Sequence, residues 1–241
     1  MKAHRASLAH VVRRQIVASV QPTPGVCSRE TVRCSDAREY SKELRPCCRG
    51  HIRQIVAHVM GAFGAQKIGW WADYGTLLGA VRNPLTTWAD YPWLEQGGRA
   101  NTPLAPGIIP HDKDADIGVL YSDWGRAWLA VMALRQKHVY RITAHSHRGS
   151  MKVRLSAQNN TNLDIFFWHQ KPNGLLFRRG YARVDDYKGK HFHRDMLFPL
   201  GTVEWEGMTL PAPRDPEAFL AMRYGPAWRT PIPANNDGVL R

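Results

Sequence analysis

The sequence predicts an α+β fold: a mixed β-sheet flanked by helices, with a cysteine-bearing helical appendage ahead of it. Three observations lead there. Helix-spaced apolar segments and short β-like runs are interspersed along the 241 residues. Two of the β-like runs carry aspartates among apolar residues, at Asp114/Asp116 and at Asp164. All four cysteines, Cys27, Cys34, Cys47 and Cys48, lie in one early segment. A composition of 44% hydrophobic and 10% aromatic residues suits a packed globule and excludes a disordered or collagen-like chain.

Residues 1–26 read as a basic tail. Lys2, Arg5, Arg13 and Arg14 interrupt any apolar core, which makes a poor signal peptide. Nowhere do about 18 apolar residues follow one another, so no membrane-spanning helix is expected and the simplest location is cytoplasmic. The net charge is +13, but no basic run reaches five residues. Arg53, Arg82, Arg126, Lys152, Arg154, Arg178, Arg179, Lys188 and Lys190 read instead as a basic shell. Such a shell suits phosphate-rich small substrates or peripheral contact with an anionic membrane, and nucleic acid is not the expected partner.

Residues 27–66 form a cysteine loop and a helix. The C-x6-C-x12-C-C spacing gathers four soft ligands, and a loop of this kind can close a zinc tetrahedron. Two disulfides or free thiols are the alternatives. Ile52, Ile55, Val56, Val59, Met60 and Phe63 fall on one face of a helix over 49–63. A strand over 67–74 and a short helix over 76–81, stopped by Asn83-Pro84, follow. Residues 83–107 read as a long loop. Residues 114–120 predict a strand. Ser122 is a candidate cap for a helix to about 136 that buries Trp124, Trp128, Leu129, Met132 and Ala133. Three β-like runs come next, over 139–143, 151–156 and 161–168. His191 to His193 suits a strand edge and Glu204 to Gly207 a hairpin. Asp215-Pro216-Glu217 starts a last helix that ends at Tyr224-Gly225. Trp70, Trp71, Trp168 and Trp205 are expected in the core. Residues 231–241 form a C-terminal tail.

The chemistry concentrates at the aspartates. On a strand, Asp114 and Asp116 share a face, their Cα atoms about 6–7 Å apart. Two such carboxylates repel unless a divalent cation joins them, and hard oxygen ligands suit Mg2+ or Mn2+. Asp164, in the apolar run Leu163-Asp164-Ile165-Phe166-Phe167, is costly to bury without a partner or a metal. If its strand lies beside the first, three carboxylates converge as a two-metal phosphoryl-transfer site requires. Gly75-Thr76 marks a helix start whose amides and hydroxyl can cradle phosphate.

Gly-Thr, then Asp-x-Asp, then a lone strand aspartate is the order of a nucleotidyltransferase-like fold. GTLLGAVR followed by IIPHDKDADIGV resembles the LicD/fukutin family of phosphotransferases, as do LDIFFW and FPLGTVEWEGMTLPAPRDPEAFLAMRYGPAW downstream. The likeness runs over residues 27 to 230, with the catalytic domain at 67–230. The cysteines resemble the zinc loop of the fukutin-related branch. Three features depart from the family: the inserted 83–107 loop, His111 where bacterial members often have Trp, and Lys113 where a further acid is usual. Mammalian members sit in the Golgi behind an anchor, so the Golgi lumen is the alternative location.

The resemblance implies transfer of a phospho-alcohol, such as phosphocholine or ribitol phosphate, from a CDP-linked donor to a glycan hydroxyl of the cell-surface-polysaccharide kind, with release of CMP. It makes Asp114, Asp116 and Asp164 catalytic metal ligands. Gly75, Thr76, Arg82, Asp112, Lys152, Arg154, Lys190 and His193 become candidate substrate contacts. The four cysteines would hold structural Zn2+. Two competing readings are a nucleotidyltransferase that adds NMP to a small molecule or an RNA end, and a zinc-stapled binding protein without activity.

Overall fold

The computed structural model describes residues 27, 29, 43–94, 98–145, 149–178 and 191–232. The expectations for the basic tail, Cys34, Arg179, Lys188, Lys190 and residues 233–241 lie outside these. The elements run α1 (Pro46–Ala65), β1 (Trp70–Ala72), α2 (Tyr74–Arg82), β2 (Asp114–Leu120), α3 (Trp124–His138), β3 (Arg141–His145), β4 (Ser150–Arg154), β5 (Asn162–Gln170), β6 (Leu175–Arg178), β7 (His191–His193), β8 (Gly201–Trp205), β9 (Met208–Ala212) and α4 (Pro216–Tyr224).

The main sheet is mixed, as expected. Its order is β1-β2-β5-β4-β3, with β6 and β7 extending from β5. Strands β2 and β5 are parallel neighbours, and β1, β4 and β3 join antiparallel. Side chains alternate faces along a strand. Ala115, Ile117, Val119, Leu163, Ile165, Phe167, Met151 and Val153 are therefore all buried on one face. Helix α3 meets that face where Trp124 packs edge-on against Phe167, centroids 4.4 Å apart. Helix α1 buries Ile52, Ile55, Val56, Val59, Met60 and Phe63, the face its spacing predicts. It begins at Pro46, which puts Cys47 and Cys48 in its first turn.

Helix α3 corrects one expectation. A 3-10 turn over Tyr121–Asp123 precedes it, and Ser122 is not its cap. Its buried residues are Ala127, Ala130, Val131 and Leu134, whereas Leu129 is 70% exposed. Ala127 and Ala130 let the helix lie close to its neighbours, so two small residues share the inward face with Val131 and Leu134, while Met132 is half-buried and Ala133 exposed. Trp124 and Trp128 are half-buried at its edge.

Where α1 meets α3, His58 stacks on His138 at 3.8 Å and its Nδ1 lies 2.7 Å from the Tyr140 hydroxyl. Burial first, then the charges of His138 and Lys137, bring the His58 pKa down to about 4. The folded chain therefore holds His58 neutral while the unfolded chain protonates it near 6.5. Its contribution to stability is complete above 6.5 and is lost as pH falls toward 4. After allowance for solvent screening, His58→Phe should remove about 1 kcal/mol of the stability difference between pH 7 and pH 5. Urea unfolding at the two pH values checks this.

The 83–107 segment packs against the body. Trp88, Tyr91 and Leu94 are buried, two 3-10 turns shape it, and Thr87 and Pro103 form a bridge. Strands β8 and β9 make a separate hairpin. Its turn residues Glu206 and Gly207 have φ of 51° and 70°, the mirror-image turn that suits strand twist. The Glu206 side chain accepts from the Ile108 amide at 2.8 Å and pairs with Arg49, while its carbonyl accepts from Arg53 at 2.7 Å. The hairpin thus ties α1 to the end of the 83–107 segment. Helix α4 starts as its sequence predicts, with the Asp215 carboxylate accepting from the Ala218 amide at 3.0 Å. Among the described residues no helix is long and apolar enough to cross a membrane.

Candidate active site

The parallel register sets Asp116 opposite Asp164 and Asp114 opposite Asn162. All four side chains therefore share the sheet face away from Ile117 and Ile165. The Asn162 amide bridges the acids, donating to Asp114 Oδ2 at 3.3 Å and Asp164 Oδ2 at 3.4 Å. Asp112, just ahead of β2, lies against Asp114. Helix α2 begins beside them. The Gly75 amide donates to Asp116 Oδ2 at 3.0 Å, and the Asp116 amide donates to Thr76 Oγ1 at 2.6 Å. Helix start and acidic strand thus lock each other.

The electrostatics follow from four carboxylates in one place. Burial and the neighbouring Asp114 charge hold Asp112 and Asp116 well above the usual carboxylate range. The same two causes push Asp164 up to about 6, against the pull of Lys152 and Arg154. The Lys152 ammonium pairs with Asp164 at 3.0 Å.

Gly75 is held to glycine by a close approach. A methyl group there would sit 2.7 Å from Asp112 Oδ2 and 3.2 Å from Asp116 Oδ2. Gly75→Ala should displace the carboxylates and lower kcat by about 10- to 100-fold, with little change in the melting temperature. Steady-state rates and thermal melts together check this.

The other expected contacts divide. Thr76 is buried, and its hydroxyl accepts from the strand, so it positions Asp116. Arg82 is 5% exposed, which corrects its place in a basic shell, and its guanidinium meets the Tyr91 hydroxyl at 3.4 Å. Arg178 is likewise buried and donates to the Tyr74 hydroxyl at 2.9 Å. Arg154 lies on the acids' sheet face. His193 does not join the acids: it contacts the Asn173 carbonyl at 3.0 Å and Asp195 at 3.1 Å, on the far side of β6.

Sequence reasoning missed a buried clamp beneath α2. Asp73 is fully buried and caps the helix, accepting from the Tyr74 amide at 2.9 Å and from Trp168 Nε1 at 3.1 Å. Arg223 of α4 pairs with the same carboxylate at 2.9 Å and stacks over the Tyr74 ring at 4.0 Å. Tyr74 has φ of 38°, an uncommon backbone conformation at the first residue of the helix that carries Gly75. An aspartate directly before a helix start was the available signal.

The cysteines come together in part. Cys27 and Cys47 are joined by a disulfide, and Cys48 Sγ lies 3.8 Å from Cys27 Sγ. Among the described residues they form the one His, Cys, Asp or Glu group whose ligand atoms all lie within 4.8 Å of one another. Among the described residues no three carboxylates come that close together.

Over 218 residues the chain is 25% identical to human ribitol 5-phosphate transferase FKRP, covering 83% of this chain and 38% of that protein. It is 27% identical over 146 residues to mouse ribitol-5-phosphate transferase FKTN, covering 58% of this chain and 30% of that one. The chain thus spans well under half the length of these relatives. The lincomycin-bound crystal structure of the lincosamide antibiotic adenylyltransferase LnuA aligns at a TM-score of 0.43 and 15% identity, over 71% of this chain and 85% of that chain. The family model LicD/FKTN/FKRP, nucleotidyltransferase domain, matches residues 93–215, from within the 83–107 segment to the cap of α4, and the chain belongs to that family.

Proposed function

We propose that the chain is a transferase of phosphorus-containing groups that moves a phospho-alcohol from a CDP-linked donor to a glycan hydroxyl. The observation that carries this is the parallel pairing that puts Asp114, Asp116 and Asp164 on one sheet face beside a helix start. The ribitol-phosphate transferase relatives support the class of group moved. The donor set fits divalent cations: hard carboxylate oxygens, mutually repelling, with the Lys152 ammonium paired to Asp164. Asp114, Asp116 and Asp164 would hold Mg2+ or Mn2+. Bound there, the ion supplies charge neutralisation for the donor diphosphate and for the departing CMP.

The chain's own groups do the rest. The acceptor oxygen bonds to the phosphorus that carries the alcohol, and the phosphoanhydride bond to CMP breaks with its electron pair leaving on CMP. Asp164, half-buried beside the other acids, is the group placed to take the proton of the acceptor hydroxyl. Gly75 leaves room at the mouth of the acids, and Thr76 keeps Asp116 in place. The test is a panel of CDP-linked alcohols with Mg2+ and candidate sugars, assayed for CMP. Sugar-dependent CMP release supports the reading. Pyrophosphate release from NTP and acceptor, with no CMP from the panel, would replace it with nucleotidyl transfer.

We infer structural zinc for Cys27, Cys34, Cys47 and Cys48 under reducing conditions. A tetrahedron with bonds of about 2.3 Å spaces its sulfurs about 3.8 Å apart, and Cys27 and Cys48 stand 3.8 Å apart. The disulfide is the competing chemistry of the same thiols. Purified with a reductant, the chain should contain one zinc per molecule, and a chelator should lower its melting temperature, because metal binding here stabilises the fold. An unchanged melt and no bound zinc leave the disulfide as the staple.

A further inference from the structure

The sheet face that carries the acids continues outward onto basic residues. Asp164 on β5 pairs with Lys152 on β4, and Lys152 with Thr143 on β3. One row along, Asn162 pairs with Arg154, and Arg154 with Arg141. Lys152 has Asp164 as its counter-ion. Arg154 feels the Asp164 charge only at a distance, and among the described residues neither arginine makes a direct ion pair or a side-chain hydrogen bond; the Arg154 Nε is buried without an acceptor. Like charges directly opposite each other in an antiparallel ladder repel and cost stability. An oxyanion between two guanidinium forks removes that repulsion, since each fork matches a phosphate or carboxylate through two N–H groups.

We propose that Arg141 and Arg154 form an oxyanion subsite that reads a phosphate or carboxylate on the acceptor glycan. This rests on the reading of Asp114, Asp116 and Asp164 as the donor-diphosphate site. With strands about 4.8 Å apart, Arg154 lies one strand and Arg141 two strands beyond the Asp164 strand β5, about 5 and 10 Å, and one row along from Asp164. That is a sugar residue or two beyond the reacting phosphorus. A second anion at that distance belongs to the acceptor, because the donor's phosphates are held at the acids. Arg141 is exposed at the sheet edge, where an incoming chain can reach it, and Arg154 is half-buried behind it. The enzyme would thus discriminate against neutral sugars.

Calorimetric titration of the full chain with galactose, galactose 6-phosphate and galacturonate tests this. At least one anionic sugar should bind about tenfold tighter than galactose, and the tighter of the two tells phosphate from carboxylate. Arg141→Gln, a change at an exposed edge, should remove most of that advantage without lowering the melting temperature. Arg154→Lys, which keeps the charge and loses the fork, should remove part of it. Equal affinity for all three sugars overturns the proposal, and so does an anionic preference that survives both substitutions. CDP with Mg2+ is titrated separately. If CDP fails to bind wild type while the sugar selectivity holds, the donor reading falls and the oxyanion subsite stands.

Discussion

Asp114→Asn should lower turnover by at least about 10^3-fold while leaving the metal-free chain as stable as before, or more so. The two effects have one cause. Asp114 is the charge that raises the carboxyl pKa of Asp112, Asp116 and Asp164 beyond what burial does alone. Removing it relieves repulsion in the resting protein and, on the proposed reading, takes away a metal ligand. The Asn carbonyl can still accept from Asn162, so the local hydrogen bonding survives. Paired measurements of kcat and of the melting temperature in a chelator check the expectation. A variant that keeps a tenth of the wild-type rate would take Asp114 out of the mechanism. A variant with a sharply lowered melting temperature would recast the acids as structural. Such opposition between stability and activity is common where a site gathers like charges.

The second large effect is expected far from the acids. Arg223→Met leaves Asp73 fully buried with no counter-ion, and breaking such a pair costs about 3–5 kcal/mol. Asp73 keeps its bonds from the Tyr74 amide and Trp168, but these stabilise a carboxylate only in part. Adding Asp73→Asn should recover about half of the loss, since the buried charge is then gone. Urea unfolding of the two single variants and the double variant measures the coupling. The folded fraction should also be slower, because Tyr74 is held between Arg223 and Arg178 and leads directly into Gly75 and Thr76. Full activity in Arg223→Met would show that the strained helix start needs no clamp.

What the sequence disclosed depended on how local the cause is. Strand β2 and the cap of α4 could be read because their chemistry lies within a few residues: alternation around Asp114 and Asp116, and Asp215-Pro216 before an apolar turn. The convergence of Asp164 could be stated only as a condition, since register is a property of two strands. The inward face of α3 was misread because Ala127 and Ala130 mark it while Leu129 faces solvent. The clamp could not be found by spacing at all. Asp73 and Arg223 are 150 positions apart, and nothing near either names the other. Arg82 and Arg178 read as surface charge because a buried arginine shows itself only through the rings that cover it.

The mutual lock between Asp116 and the start of α2 limits how the protein can be cut. The family match begins at residue 93, yet Gly75 and Thr76, which hold Asp116, precede it, and Arg223, which holds Asp73, follows its end at 215. Arg49 and Arg53, which grip the Glu206 turn, lie further upstream still. A fragment trimmed to the matched stretch would carry every carboxylate of the centre but lose the helix start and the clamp that set Asp116. Recombinant boundaries should therefore enclose at least Pro46 through Tyr224.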